Sequence, residues 1–204
     1  MITIVDYGMG NLRNVLRACT EIGVKATVTS NPDLVRSATR LILPGVGAFG
    51  EAVRRIDEMG LRSPILDHAR AGRPLLGICL GMQLLLDSSE ESPGAAGLGL
   101  IPGTVRKLSG DVKVPHIGWD DVIPVSPSPL FPDPKETPVT YFVHSYYVGM
   151  IPETVALTEY GVRFSASVKK GNVYGVQFHP EKSQVAGLNI IRRFTLMKPA
   201  AWTM

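Results

Sequence analysis

The sequence has few cysteines, no long apolar run and no cluster of basic residues. Its two cysteines, Cys19 and Cys79, cannot build a framework of several disulfides, and neither stands in a spacing typical of metal ligands. No stretch of about 18 apolar residues predicts a membrane-spanning helix. The N-terminus lacks a basic segment followed by an apolar one. We therefore expect no metal, no membrane span, no secretion signal and a cytoplasmic location.

The charge pattern also excludes a class of partner. The formal net charge is only +3, and lysines and arginines are scattered among acidic residues. A surface that follows a phosphate backbone needs a basic patch or stripe, so we expect no nucleic acid partner. A chain of 204 residues with 45% hydrophobic content is long enough to bury one substantial core. We expect a single globular domain over residues 1–204.

In the first half of the chain, short apolar runs alternate with helical patterns. The predicted strands are residues 2–6, 24–29, 41–43 and 75–78. Leu12, Val15, Leu16 and Cys19 recur at helical spacing, which predicts a helix that buries Cys19. Ser63 and Pro64 are typical of an N-cap and a first helical turn. Strands that alternate with helices predict a parallel sheet with crossover connections.

The second half changes character after a proline-rich stretch at 121–138. The predicted strands, at 139–143, 154–160, 164–169 and 173–178, follow one another closely, which favours partly antiparallel pairing. A final helix is predicted from the apolar stripe of Val185, Leu188, Ile191 and Phe194.

The segment 75–83 carries one cysteine between two glycines where a predicted strand meets a predicted helix. This is a thiol version of the nucleophile elbow, a strained turn that projects its central side chain into a cleft. A helix N-terminus favours the reactive thiolate of Cys79 and places the Leu80 N–H near an attacked carbonyl oxygen. The alternative is a buried cysteine packed between glycines.

Predicted strand residues 173–178 lead directly into His179, Pro180 and Glu181. In an extended segment, residues two apart point the same way with Cα atoms about 6.5–7 Å apart, and Pro180 favours that geometry. The Glu181 carboxylate can then hold one imidazole nitrogen of His179 while the other faces a thiol, as in a catalytic triad. A surface turn is the alternative, and the cysteine elbow favours the triad.

The other histidines have weaker claims to a catalytic role. His68 falls on the predicted solvated face of a helix. His116 and His144 fall in segments that, from the resemblance given below, are predicted to face a partner.

The two motifs, Gly77 to Gln83 and Gln177 to Glu181, resemble those of the class I glutamine amidotransferases. The resemblance covers nearly the whole chain. It implies a flavodoxin-like α/β fold with a central, mostly parallel sheet flanked by helices and additional antiparallel strands in the C-terminal half. It also implies hydrolysis of glutamine through a cysteine glutamyl-thioester, with Cys79, His179 and Glu181 as the catalytic residues and no cofactor.

Three further segments, 44–50, 115–119 and 141–147, resemble the glutaminase subunits of imidazole glycerol phosphate synthase, an enzyme of histidine biosynthesis. This resemblance implies a heterodimer in which ammonia passes to a cyclase subunit. Residues 44–50 match the oxyanion strand, so the backbone N–H of Val46 or Gly47 would join that of Leu80 as a donor. Without the resemblance, this segment is a glycine-rich turn or a phosphate-binding loop, and no Lys-Ser/Thr follows to support the latter.

Matching positions also imply two larger sets of residues. The glutamine-binding set is Gly47, Gln83, Glu91, Ser145 and Tyr146, and the set facing the cyclase is Asn11, Asn14, Trp119, Tyr141 and Lys182. Ordinary core packing is the alternative for Trp119 and Tyr141, since aromatic residues dominate both cores and interfaces.

Two other functions remain open at this stage. One is the glutaminase of another pathway, such as pyridoxal phosphate or anthranilate synthesis, which would share the triad but not segments 44–50 and 115–119 together. The other is a catalytically silent binding or regulatory module on the same fold, against which the intact Cys79, His179 and Glu181 argue.

Overall fold

The computed structural model describes residues 1–199. Strands alternate with helices in the N-terminal part, which confirms the predicted pattern. The strands are Ile2–Val5 (β1), Ala26–Thr29 (β2), Leu41–Gly45 (β3) and Leu75–Cys79 (β4). The helices are Leu12–Glu21 (α1), Pro32–Ser37 (α2), Phe49–Glu58 (α3), Arg62–Arg70 (α4) and Leu80–Leu84 (α5).

The rest of the chain consists mainly of strands. They are Ser88–Ser89 (β5), Thr104–Lys107 (β6), His116–Asp121 (β7), Ile123–Pro124 (β8), Val139–His144 (β9), Tyr146–Val148 (β10), Thr154–Tyr160 (β11), Val162–Lys170 (β12) and Val173–Val176 (β13). A 3-10 turn at Pro180–Lys182 and the helix Gln184–Thr195 (α6) follow β13.

The main sheet has the strand order β2-β1-β3-β4-β13-β12-β11-β8. The strands from β2 to β13 pair in parallel, and the last three are antiparallel to their neighbours. The order 2-1-3-4 followed by one more parallel strand is that of flavodoxin-like folds, so the predicted fold class is confirmed. In such sheets, ligands bind beyond the carboxyl ends of the parallel strands. Two smaller sheets, β10-β6-β5 and β7-β9, stand beside this edge.

The core lies on both faces of the main sheet because successive strand residues point to opposite sides. One cluster is formed with helices α2 to α5, and its members include Leu43, Phe49 and Ile65. The other is formed with α1 and α6 and includes Ile4 and Phe194. Cys19 is fully buried in the second cluster, as predicted.

Two details of the helix predictions are wrong. Helix α4 begins before Ser63, because the Leu61 carbonyl already accepts the Ile65 N–H at 3.1 Å; the Ser63 hydroxyl instead donates to Asp67. In α6, Val185 is 70% exposed, and the buried face carries Ile190 beside Ile191 and Phe194.

The prediction for His68 is also wrong, because the residue is fully buried. It shares one face of α4 with Ile65 and Ala69, which pack into the core. Its Nε2 lies 3.0 Å from the Pro74 carbonyl oxygen, and burial lowers the pKa of His68 to about 4. A neutral imidazole can therefore occupy this position without an uncompensated charge.

Candidate active site

Cys79 lies at a sharp turn between β4 and α5, with φ 55° and ψ −113°. A non-glycine residue rarely adopts this region, and such strain concentrates at functional sites. The neighbouring glycines allow the turn: a Cβ on Gly77 would lie 2.5 Å from the Gly81 carbonyl oxygen, and a Cβ on Gly81 would collide with the Leu43 carbonyl. The sequence therefore places one thiol at the carboxyl edge of the sheet.

His179 and Glu181 form a buried pair after β13. Their Nδ1 and Oε1 atoms are 2.8 Å apart, and the two side chains are only 2% and 1% exposed. The predicted extended geometry between them is wrong: His179 caps the 3-10 turn that begins at Pro180, so the chain folds back at once. The proline fits the first position of that turn because its fixed φ is already helical. The turn, not an extended strand, brings the carboxylate to the imidazole.

The pair faces the Cys79 thiol across the same cleft. Burial by itself lowers the pKa of His179, but the Cys79 and Glu181 side chains outweigh it and raise that pKa to about 10. Within the described residues, Nε2 of His179 has no hydrogen-bond partner, while the thiol donates weakly to the Val143 carbonyl oxygen at 3.9 Å. The imidazole nitrogen that lines the cleft with the thiol is therefore available to accept its proton.

The cleft has a volume of about 380 Å³ and brings together residues from distant parts of the chain. All five residues predicted to bind glutamine line it with Cys79 and His179: Gly47, Gln83, Glu91, Ser145 and Tyr146. Two backbone segments, one after β3 and one from the end of β9 to the start of β10, line it.

Contacts within the cleft show what holds two of these side chains. The Gln83 amide donates to the Tyr146 carbonyl oxygen at 2.9 Å and to Gln177 Oε1 at 3.1 Å. The Glu91 carboxylate accepts the Phe49 backbone N–H at 2.7 Å, which caps the N-terminus of α3. One oxygen of Glu91 is thus already used to order the segment that follows Gly47.

The predicted oxyanion donors lie beside the thiol. Leu80 is the first residue of α5, and Val46 and Gly47 follow β3 on the exposed wall of the cleft. Gly47 has φ 100°, and neither its N–H nor that of Val46 donates to an acceptor among residues 1–199. These two N–H groups are free to bind an incoming oxygen.

Two residues to which the sequence assigned no role, Tyr7 and Gln177, contact the site from behind Pro44 and beside Cys79. The buried Tyr7 hydroxyl donates to the Pro44 carbonyl oxygen at 2.9 Å, and burial, with a smaller effect of Cys79, raises the pKa of Tyr7. Gln177 Nε2 lies 3.8 Å from the Cys79 sulfur. The position of Gln177 two residues before His179 was the available signal, whereas nothing near Tyr7 in the sequence pointed to Pro44.

The residues predicted to face a partner fall into two places. Trp119 is 46% exposed and meets Tyr141 edge to face with ring centroids 5.8 Å apart, while Lys182 Nζ lies 5.6 Å above the Tyr141 ring. We call Trp119, Tyr141 and Lys182 the aromatic patch. The exposure of Trp119 rules out the core alternative for this residue.

The two asparagines of the same set lie on α1. Asn11 stands at the N-cap position of the helix, and Asn14 lines a shallow cleft with Glu181 and Gln184 on the far side of the 3-10 turn. His116 and His144, predicted to lie at the interface, are instead buried, so that prediction is wrong.

Comparison with known proteins agrees with this geometry. The family described as glutamine amidotransferase class-I matches residues 3–197. The chain belongs to the class I glutamine amidotransferases. It is 48% identical to imidazole glycerol phosphate synthase subunit HisH of Methanothermobacter thermautotrophicus, covering 95% of this chain and 97% of that one. The HisH subunit of Moorella thermoacetica is 47% identical, with 95% and 93% covered.

Solved structures of this family share the fold at lower identity. One glutamine amidotransferase gives a TM-score of 0.76 at 19% identity, covering 95% of this chain and 97% of that one. PurLQS from Thermotoga maritima gives 0.75 at 22% identity, covering 95% and 96%. Among residues 1–199, no helix is long and apolar enough to cross a membrane, and no three potential metal ligands cluster.

Proposed function

We propose that the chain is the glutaminase subunit of imidazole glycerol phosphate synthase, acting in the cytoplasm as a heterodimer with the cyclase subunit. The observation that carries the proposal is the strained Cys79 opposite the buried His179–Glu181 pair, in a cleft lined by residues 47, 83, 91, 145 and 146. Identities of 43 to 49% to HisH subunits, over 95% or more of this chain, support the assignment to this synthase.

In the first half of the reaction, the Cys79 sulfur attacks the side-chain amide carbon of glutamine. His179 accepts the thiol proton, and its raised pKa means that the proton is held until the leaving nitrogen takes it. The carbonyl oxygen becomes negative as the C–S bond forms and is stabilised by backbone N–H groups of Leu80 and of Val46 or Gly47. Ammonia leaves, and a glutamyl thioester remains on Cys79.

In the second half, His179 takes a proton from water, and the water oxygen attacks the thioester carbon. The C–S bond breaks, the proton returns to sulfur, and glutamate leaves. Glu181 keeps Nδ1 of His179 protonated and stabilises the imidazolium at both stages. The ammonia passes to the cyclase, which forms imidazole glycerol phosphate and an aminoimidazole carboxamide ribotide.

Partner binding is assigned to the aromatic patch and, as a second contact region, to Asn11 and Asn14 on α1. A half-exposed tryptophan against a half-buried tyrosine is typical of interface anchors, because both bury large area at low entropic cost. The single domain of residues 1–204 contains the glutaminase function, and the acceptor chemistry belongs to the cyclase.

The test is synthesis of imidazole glycerol phosphate by the reconstituted complex, with glutamine or with ammonium salt as the nitrogen source. Cys79→Ala should lose glutamine-dependent synthesis and keep ammonium-dependent synthesis, because the cyclase holds the synthetic chemistry. The conservative control is Cys19→Ala, which leaves the cleft untouched. Full glutamine-dependent turnover by Cys79→Ala would reject the assignment.

A further inference from the structure

A continuous chain of hydrogen bonds runs from the cleft wall to the protein surface. The Tyr146 carbonyl oxygen lies 2.9 Å from Nδ1 of His144, and Nε2 of His144 lies 3.1 Å from Nδ1 of His116. Nε2 of His116 then lies 2.6 Å from Oδ2 of Asp120, whose side chain is 36% exposed. The three contacts join the glutamine-binding wall to the residue next to Trp119.

The number of protons in this chain follows from its ends. A backbone carbonyl and an ionised carboxylate only accept hydrogen bonds, so each of the three contacts needs one proton from the chain. Two neutral imidazoles carry only two. The complete chain of His144, His116 and Asp120 therefore holds one additional proton, which leaves the three side chains with no net charge.

The surroundings decide where that proton lies. Burial lowers the pKa of His144 to about 3, helped by the charges of His116 and His179, so His144 stays neutral. Burial also holds the pKa of His116 below its ordinary value, and the contact with Asp120 offsets this only in part. Because His144 is neutral, the additional proton of the complete chain lies at the 2.6 Å contact between His116 and Asp120.

The side chains that pack against His116 neither donate nor accept the additional proton. The His116 ring is stacked between Tyr160, at 4.0 Å, and Phe142, at 5.0 Å. The Tyr160 hydroxyl is turned away and donates to the Lys113 carbonyl oxygen at 2.8 Å.

We propose that Asp120 and His116 are positioning residues for the glutamine pocket: their shared proton completes the chain through His144 that holds the Tyr146 carbonyl, and with it the Ser145–Tyr146 wall. The proposal rests on the assignment of this cleft to glutamine. The same carbonyl accepts the Gln83 amide, so the chain fixes two of the pocket's binding residues. When the proton is lost as pH rises, two protons remain for three contacts, so one contact loses its hydrogen bond and the series no longer fixes the Tyr146 carbonyl.

The variant Asp120→Asn tests whether the additional proton is needed. Its amide can donate to Nε2 of His116, so that two neutral imidazoles satisfy the whole chain without an additional proton. Asp121→Asn is the matched control, because Asp121 is exposed on the same strand and its side chain makes no hydrogen bond to His116, His144 or Asp120.

The experiment measures glutamine hydrolysis by the full-length protein bound to its cyclase from about pH 5 to about pH 8, the range in which histidine changes its charge. The KM for glutamine should rise by about threefold to tenfold with pH in the wild type and in Asp121→Asn, and stay level in Asp120→Asn, as expected for one hydrogen bond. The kcat profile, set by Cys79 and His179, should be the same in all three. Identical KM profiles for Asp120→Asn and Asp121→Asn would overturn the proposal.

Nitrogen-15 NMR of the histidine rings tests the hydrogen-bond series by a measurement that does not depend on enzyme activity. We expect protonated Nδ1 on His144, and a strongly downfield proton in the His116–Asp120 contact that disappears in Asp120→Asn. An unprotonated His116–Asp120 contact at about pH 5 would overturn the proposal even in an active glutaminase. If the downfield proton were present in a protein without glutaminase activity, the proposed function would be rejected and the hydrogen-bond series would still stand.

Discussion

The Glu91 carboxylate accepts the backbone N–H of Phe49 at 2.7 Å, across 42 positions of sequence. This contact joins a residue of the cleft to the first residue of α3, which lies within the predicted oxyanion segment 44–50. Helix α3 has no cap from its own N-cap residue, Ala48, so the carboxylate and the Ser92 hydroxyl, which accepts from Gly50 at 3.0 Å, cap it from outside. The order of the start of α3 therefore depends on Glu91, which also lines the cleft, together with Ser92.

Glu91→Ala should lower both stability and activity for that reason. Loss of a helix cap typically costs about 0.5–2 kcal/mol in the free energy of unfolding. The loosened segment after Gly47 should also lower kcat/KM for glutamine. Glu91→Gln retains an oxygen acceptor and should recover most of the stability; denaturant unfolding and glutaminase assays of both variants decide. Equal stability of Glu91→Ala and the wild type would contradict the capping role.

Removing the imidazole should slow thioester formation strongly. His179→Ala should lose about 10²–10⁴-fold in turnover, the usual value of general acid–base help. Glu181→Gln should lose less, because the amide can still accept from Nδ1. Single-turnover measurement of glutamate release checks both. If His179→Ala stayed near normal while His144→Ala lost activity, the catalytic assignment would have to change.

The raised pKa of His179 also predicts how stability depends on pH. A group whose pKa rises on folding, here from 6.5 to about 10, stabilises the fold fully below 6.5. That stabilisation is lost as the pH rises through about 10. The thermal unfolding temperature of the wild type should therefore fall over this pH window. It should fall less in Glu181→Gln, because the pKa of His179 is lower without the carboxylate. Parallel pH profiles for the two proteins would contradict the pairing.

Trp119→Ala should weaken the complex with the cyclase more than it destabilises the isolated chain. An anchor residue at an interface typically contributes about 2 kcal/mol or more to binding. Val185, which is 70% exposed on α6, provides a control position for Val185→Ala. Partner affinity and thermal stability are measured together; a large stability loss with unchanged affinity would reject the interface role.

The oxyanion loop should act as the activation switch of the glutaminase. Gly47, with φ 100° between β3 and α3, makes peptide rotation inexpensive there, whereas Gly45 is paired in β3 and Gly50 lies in α3. One oxyanion donor is typically worth about 10²–10³-fold in rate. We expect slow hydrolysis by the isolated chain, faster hydrolysis with the cyclase, and the fastest when the cyclase holds its ribonucleotide substrate. Steady-state kinetics in the three conditions check this. Equal turnover in all three would reject the switch and leave the triad intact.

Much of the fold could be predicted because its signals are local. Apolar runs at 2–6 and 75–78 and the helical spacing from Leu12 to Cys19 each depend on a few neighbouring residues, and the structure confirms them. The errors have a common origin. His68 is buried although it was predicted to be exposed, and Val185 is exposed although it was predicted to be buried. Burial is decided by the element packed against a helix, which periodicity within the helix does not specify.

The sequence by itself determined which residue types are available to the site. A cysteine between two glycines allows a tight strand-to-helix turn, because the folded backbone leaves no room for a Cβ at either glycine. Only the tertiary structure decided how distant residues meet, such as Glu91 with Phe49 and His116 with His144. These contacts join separate strands and loops, and their hydrogen-bond geometry exists only once the sheet has assembled.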